Sequence, residues 1–409
     1  MRGFFSKEAI QVKGGERRGF SCASCGLYKH AQTPKMEPYG GFLKRIMVIG
    51  EAPNEDEDHQ GKPWQGKSGR ILQRKYAELG IDLFEDCISL NAVACHPVDK
   101  KGDSRTPTNQ EISCCRSKIV QAIKKYQPKI IILHGNAPTF SLIGHKWRKD
   151  FSSMTKWQGW TIPDREYRAW VCPTFHPSFV MRQEEKNEVE IIWTEDIKRA
   201  ISKLDEPLPN FFAEEEESII FAEDMEEIME KLNQPGLMAF DIETTGLKPY
   251  DRKSHRIVSI SFCNNPEYAY VIPFPTKTKH LRMLKELLEN PKVGKIAANM
   301  KYEDNWLNVL HDIRVNPWAF DTMQAAHILD NRPGITGLKF QAYVRFGVIG
   351  YDEQVNPYLK AKSPNEVNRI MELVNSEEGF RKLRLYNGID SLMEFRLAMK
   401  QMEELGIQG

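Results

Sequence analysis

The chain has 409 residues, 41% hydrophobic and 28% charged, with a formal net charge of +1. That length holds more than one core, and the composition is that of a globular protein. No run approaches the ~18 uninterrupted apolar residues of a membrane span, and the first thirty residues lack a signal-peptide core, so a cytoplasmic protein without a membrane partner is expected.

The near-neutral total hides an asymmetry. Residues 1–200 carry 32 Lys and Arg against 24 Asp and Glu, whereas residues 201–409 carry 25 against 32. The first half suits a phosphate-bearing partner and the second a site for divalent cations. From residue 44 the pattern reads strand (KRIMVIG), loop, helix (68–79), strand (CISLNAV), helix (109–126) and strand (KIIILHG). Such alternation predicts a largely parallel sheet with helices on both faces. The stretch DEPLPNFFAEEEES (205–218), with two prolines and an acidic run, predicts a linker between domains 1–204 and 219–409. Beyond it come a helix at 224–233, strands GLMAFDIET, IVSISFC and YAYVIPF, a helix at 280–289, strand KIAANM and several helical segments.

In the first domain VIGEAPNEDEDHQGKPWQGKSGRIL (48–72) runs from a strand into a loop with glycines at 50, 61, 66 and 69, then into a helix near Ser68. Glycines admit close backbone approach to a ligand, and a helix start offers free N–H groups. SLNAVACHP (89–97) and PTFHPSFVMR (173–182) follow in order. Over residues 18–204 this combination resembles the family 4 uracil-DNA glycosylases. The resemblance implies an α/β/α sandwich in which Trp64 stacks on an extruded uracil and Asn91 reads its Watson–Crick edge. His176 would stabilise charge on the base oxygen, and Glu51 would lie in the loop addressing the attacking water. Asn54 stands where the family commonly has glycine. A non-catalytic uracil- or DNA-binding module is therefore the alternative for this domain.

Seven of eight cysteines lie in the first half, and a chain without a secretion signal uses such clusters for metals more than for disulfides. The same resemblance implies that Cys22, Cys25, Cys95 and Cys115 hold a [4Fe–4S] cluster. Zinc also accepts four thiolates, and Cys114 is the neighbour that competes with Cys115. The family motif places its ligand just before the arginine, here Arg116, which favours Cys115.

In the second domain Asp241 and Glu243 of FDIETTGL share one face of a strand while Phe240 and Ile242 enter the core. Paired carboxylates on one point need a cation. ANMKYEDNW (298–306), FDTMQAAHILD (320–330) and YNGIDSLMEF (386–395) follow, with Tyr386 and Asp390 one helical turn apart. The ordered set resembles the 3′–5′ exonuclease domain of family A DNA polymerases, the DEDD class with tyrosine, over 219–409. It implies a ribonuclease H-like α/β fold, two Mg²⁺ or Mn²⁺ ions on Asp241, Glu243, Asp304 and Asp390, and Tyr386 positioning the attacking water. Spacing back from FDTM favours Asp304 as the third acid, with Glu303 as the alternative. Asp321 is expected to cap a helix.

Together these expectations describe a DNA-processing protein that acts on uracil-containing DNA and on single-stranded 3′ ends. A polymerase is a candidate partner, and a non-catalytic scaffold recruiting one is the remaining alternative. The chain stops soon after the Tyr386/Asp390 motif, which leaves open a separate proofreading module or a piece of a longer polypeptide.

Overall fold

A computed structural model describes residues 21–147, 151, 153–183, 187–209, 215–251, 253–363 and 365–407. These gather into two compact units, one from residue 21 to 209 together with Val344–Gly347, the other from 215 to 343 and from 348 to 407. Residues 210–214 of the predicted linker lie outside the described residues.

The first unit is built on strands Ile46–Gly50 (β1), Cys87–Asn91 (β2), Ile130–His134 (β3), Ile162–Asp164 (β4) and Ala169–Thr174 (β5), in the order β2-β1-β3-β5-β4. All neighbours are parallel except the β4–β5 edge pair. Each strand is buried along its whole length, as a parallel sheet covered on both faces must be. Helices Cys22–Cys25 (α1), Glu55–Gln60 (α2), Lys67–Glu78 (α3), Asn109–Tyr126 (α4), Pro177–Met181 (α5) and Asn187–Ser202 (α6) accompany it. Ile46, Val48, Leu72, Tyr76, Ile130, Ile132 and Trp193 share one core. β4 and β5 were not predicted: β5 carries Pro173 inside AWVCPT, which breaks the strand pattern that β1 and β3 display openly.

The second unit contains Ile219–Phe221 (β6), Gly236–Thr244 (β7), Ile257–Cys263 (β8), Ala269–Pro273 (β9), Val293–Ala297 (β10) and Trp318–Asp321 (β11), in the order β11-β10-β7-β8-β9-β6. β7, β8 and β9 form an antiparallel meander, while β10 and β11 add in parallel beyond β7. That is the ribonuclease H-like arrangement, extended by β6 alongside β9. Its helices include Met225–Leu232 (α7), Thr278–Leu288 (α8), Met300–His311 (α9), Thr322–Leu329 (α10), Leu338–Phe346 (α11) and Glu377–Leu405 (α12). Met238, Phe240 and Ile242 enter a core with Phe262, Leu284 and Trp306. The opposite face of β7 is left to α12, which packs across β7, β8 and β9. Among the described residues no helix is long and apolar enough to cross a membrane.

Candidate active sites

The period of the strand sends Asp241 and Glu243 away from the core that takes Phe240 and Ile242, and α12 brings Asp390 over them. One carboxylate oxygen from each of the three acids lies within 4.8 Å of the others. Burial first, then the charge of Asp390, pushes the Asp241 carboxyl up to about 8. Burial followed by the Asp241 and Asp390 charges pushes Glu243 well above the carboxylate range. Such a group is stable as anions only around positive charge. Lys339 on α11 supplies some of it by pairing with Asp390, while its ammonium lies 4.3 Å from the Tyr386 ring centre and 4.5 Å from that of Tyr351. The Lys339 ammonium thus stands in for part of the charge that a divalent ion would bring, and the hard oxygen donors fit Mg²⁺ or Mn²⁺.

Two neighbours fix the acids. Asn387 donates from Nδ2 to Asp241 Oδ2 at 2.6 Å, and its own Oδ1 accepts from Ser259 at 3.0 Å. The Tyr351 hydroxyl donates to Asp390 at 2.7 Å. Tyr386 is buried, and burial together with Asp390 and Glu243 raises its pKa far enough to keep it a phenol. Lys339, Tyr351 and Asn387 were not singled out in the sequence. Asn387 could have been, because it follows Tyr386 directly in the motif.

Of the two acids that motif spacing left in competition, Asp304 and Glu303, the helix phase favours Glu303. Consecutive residues of a helix differ by about 100° in direction, and on α9 Glu303 is the one turned inward. Glu303 is 2% exposed, its Oε2 has no partner, and Asp241 is its strongest charged neighbour. Asp304 lies partly exposed, and neither it nor Glu303 belongs to the three acids that meet within 4.8 Å. The start of α9 is held by Asp321, which accepts from Asn299 N at 3.2 Å and Met300 N at 3.0 Å while capping α10.

In the first unit four expected residues meet at two glycines. A Cβ on Gly50 would lie 2.4 Å from Asn91 Oδ1 and 2.8 Å from Trp64 Cζ2. A Cβ on Gly135, whose φ is +101°, would lie 2.6 Å from Glu51 Oε1 and 3.0 Å from His176 Cβ. Trp64 is stacked on His176 with ring centres 5.7 Å apart and planes at 29°. Trp64 Nε1 is buried without a hydrogen-bond partner, and the Asn91 amide lies against the Glu57 carboxylate. His176 Nδ1 accepts from Ser178 N at 3.2 Å, and burial lowers the ring's pKa to about 4. A neutral ring accepting at Nδ1 carries its proton on Nε2 as a donor. Glu51 accepts from Asn136 N at 3.1 Å, and burial raises its pKa.

The residue overlooked here is Glu57. Its carboxylate takes Trp64 N–H at 2.6 Å and Asn54 N–H at 3.2 Å, and burial lifts it to about 7. It holds Trp64 at φ +62°, a conformation that costs a non-glycine residue ~1–3 kcal/mol. The signal was available: Asn54-x-x-Glu57 is a capping box, and Asn54 Oδ1 accepts Glu57 N at 2.9 Å. Asn54 has φ −91°, so nothing at this position requires glycine.

The four expected cysteine ligands come from α1, the loop after β2 and α4. Burial raises the Cys95 thiol, with Cys22 among the charges opposing its ionisation. Burial also raises Cys115 to about 11, and Cys25, Cys95 and Cys22 all act on it. Cys114 remains a close neighbour of α1, 3.6 Å from Ser24 Oγ. Of the basic residues nearby, Arg105 is committed to Glu111 at 2.6 Å and Arg116 to Ser141 O at 3.0 Å.

Fold and sites together define a two-domain hydrolase that processes DNA. Residues 37–197 match the uracil DNA glycosylase superfamily, and residues 218–355 match the 3′-5′ exonuclease family. A type-4 uracil-DNA glycosylase of Thermotoga maritima is 35% identical over 182 residues, 44% of this chain and 88% of that protein. One from Saccharolobus solfataricus is 32% identical over 195 residues, 46% of this chain and 86% of that protein. Through its first unit the chain belongs to the type-4 uracil-DNA glycosylase family. A DNA polymerase of Bacillus phage SP01 is 26% identical over 402 residues, which span 90% of this chain but 41% of that protein. That match runs through both units of this chain.

Proposed function

We propose that the chain removes uracil from DNA with its first unit, 1–204, and trims 3′ ends with its second, 219–409. The observation that carries the nuclease half is the meeting of Asp241, Glu243 and Asp390 within 4.8 Å, with the buried Tyr386 phenol under the influence of all three charges. Asp241, Glu243, Asp390 and Glu303 hold the cations. Two such ions, when bound, polarise the phosphodiester, lower the pKa of the attacking water and stabilise the departing 3′ oxygen. Tyr386, kept protonated, donates a hydrogen bond that orients that water and does not act as a base. Hydrolysis releases a nucleoside 5′-monophosphate and leaves a shortened strand with a free 3′ hydroxyl.

In the first unit, the extruded base enters beside Trp64 and meets the amide of Asn91, which reads its edge. Water adds to the sugar carbon while the glycosidic electron pair leaves with uracil. The His176 Nε2–H donates to the base oxygen on which that charge gathers, and Glu51 orients the water. Cys22, Cys25, Cys95 and Cys115 are assigned to a [4Fe–4S] cluster, supported by the all-thiol donor set and by the charges of the other three acting on Cys115, while Cys114, which acts on Cys25, is the competing ligand. A cluster held by these four thiolates would tie α1 to α4. The shared domain order with the phage polymerase supports work beside or within a DNA polymerase, in the cytoplasm.

The test uses the full chain on a labelled single strand containing one uracil. Free uracil and an alkali-labile site are expected without added metal, and mononucleotides once Mg²⁺ is supplied. Retention of the oligonucleotide without alkali-labile breakage would reduce the first unit to a binding module.

A further inference from the structure

Lys339 enters the reading above only as a counter-charge. Its ammonium pairs with the buried Asp390, while the lysine side chain keeps 23% of its own surface open to water. Tyr351 donates to the same oxygen, Asp390 Oδ1, at 2.7 Å. Among the described residues no other cationic side chain is paired with Asp241, Glu243 or Asp390. The ammonium also faces two rings, 4.3 Å from the centre of Tyr386 and 4.5 Å from that of Tyr351, and these centres lie 6.0 Å apart. An aromatic face attracts a cation without fixing it to one point, and a lysine stem has four flexible carbons. The ammonium can therefore leave the carboxylate without losing the support of the rings. An ion pair on a helix is usually a stabilising contact and nothing more. This one differs in its partner, because Asp390 brings a ligand oxygen within 4.8 Å of those of Asp241 and Glu243. An ammonium and a divalent cation on one carboxylate repel each other. Charge balance gives the same result: four acids offset two divalent ions, the ammonium is then surplus, and a phosphodiester brings the one negative charge that matches it.

We propose that Lys339 is a substrate-binding residue of the nuclease: it holds Asp390 while the centre is free of cations, and moves to a non-bridging oxygen of the scissile phosphate once Asp390 is taken up by a metal ion. The inference rests on the two-cation reading of that centre and adds a substrate contact to it. Lys339 then does two things with one charge. In the empty centre it competes with metal for Asp390, and in the loaded centre it grips the phosphate beside the tyrosine that orients the attacking water. The order of loading follows: metal first, nucleotide second.

The experiment uses the full chain, with Mn²⁺ and thymidine 5′-monophosphate as probes. Free Mn²⁺ is followed by electron paramagnetic resonance, and nucleotide binding at saturating Mn²⁺ by calorimetry. Without nucleotide, Lys339→Gln should bind Mn²⁺ roughly threefold to tenfold more tightly than wild type, since the competing ion pair is gone. With Mn²⁺ in place it should bind the monophosphate about tenfold more weakly, the worth of one hydrogen bond to a charged group. Acetylation of Lys339 in the wild-type chain, read by mass spectrometry, gives a measurement that needs no variant. It should rise when Mg²⁺ is added and fall again with the monophosphate. Mn²⁺ binding by Lys339→Gln that is unchanged or weaker, or monophosphate binding equal to wild type, overturns the proposal. Acetylation that Mg²⁺ leaves unchanged, or that the monophosphate does not suppress, also overturns it, and decides the matter if Lys339→Gln does not fold. Asp241→Asn separates the two readings: if it binds Mn²⁺ as wild type does, the two-cation centre itself fails, whatever Lys339 does.

Discussion

Exchanging the two adjacent acids of α9 is the most decisive perturbation. Glu303 is 2% exposed and faces Asp241, so Glu303→Gln removes a charge from the cation centre while leaving the shape of the side chain. Loss of one preorganised group that stabilises transition-state charge costs ~3–4 kcal/mol, or about 10²–10³-fold in rate. Asp304 is partly exposed on the outward side of α9, and a surface substitution of that kind is worth within about 0.5 kcal/mol. Asp304→Asn should therefore stay within roughly twofold of wild type. The assay is release of mononucleotides from a 5′-labelled single strand in Mg²⁺, under single turnover so that product release does not mask chemistry. Both variants should release uracil at the wild-type rate, which serves as the internal control for folding of the first unit. A hundredfold loss in Asp304→Asn with Glu303→Gln near wild type would refute the helix-phase argument and restore the acid favoured by motif spacing.

Three further outcomes are expected. A carboxyl whose pKa rises on folding stabilises the fold below its unfolded value, and that contribution is lost as pH climbs towards the folded one; for Asp241 the interval runs from 3.8 to about 8. Between pH 7 and 8 in chelator, as Asp241 approaches its folded value, its ionisation alone removes about 1 kcal/mol, a few degrees of Tm. Mg²⁺ should flatten this fall, and a second-unit Tm that rises with pH in chelator would contradict it. Cys115→Ser should lose iron and the visible absorbance of the cluster while Cys114→Ser keeps both; the opposite result reassigns the ligand, and zinc in place of iron replaces the cluster. His176→Ala should slow uracil release about 10²–10³-fold at unchanged exonuclease rate, and Asp241→Ala should do the reverse.

Much of the chemistry was legible because it is written inside single elements. The two-residue period of β7 places Asp241 and Glu243 on one face, the four-residue spacing puts Tyr386 and Asp390 on one side of α12, and the capping box at Asn54 and Glu57 is complete within a turn. β6 and β11 were not legible, since strands of three and four residues carry too few alternations to read. Asn387 and Tyr351 matter through partners 146 and 39 residues away, separations that no local window spans.

What the amino-acid sequence determined alone was the type and order of the chemical groups: a base-reading loop and HPS motif, a set of thiols, then acids and a tyrosine in nuclease order. Which acid of α9 turns inward, that Glu57 holds Trp64, and that Glu394 ends buried against the Ala298 N–H were decided by tertiary packing. The physical reason is that a helix offers every direction in turn, and only the surface it docks against selects which of its residues lose water. For an ionisable side chain that selection sets both the charge it keeps and the ion it can hold.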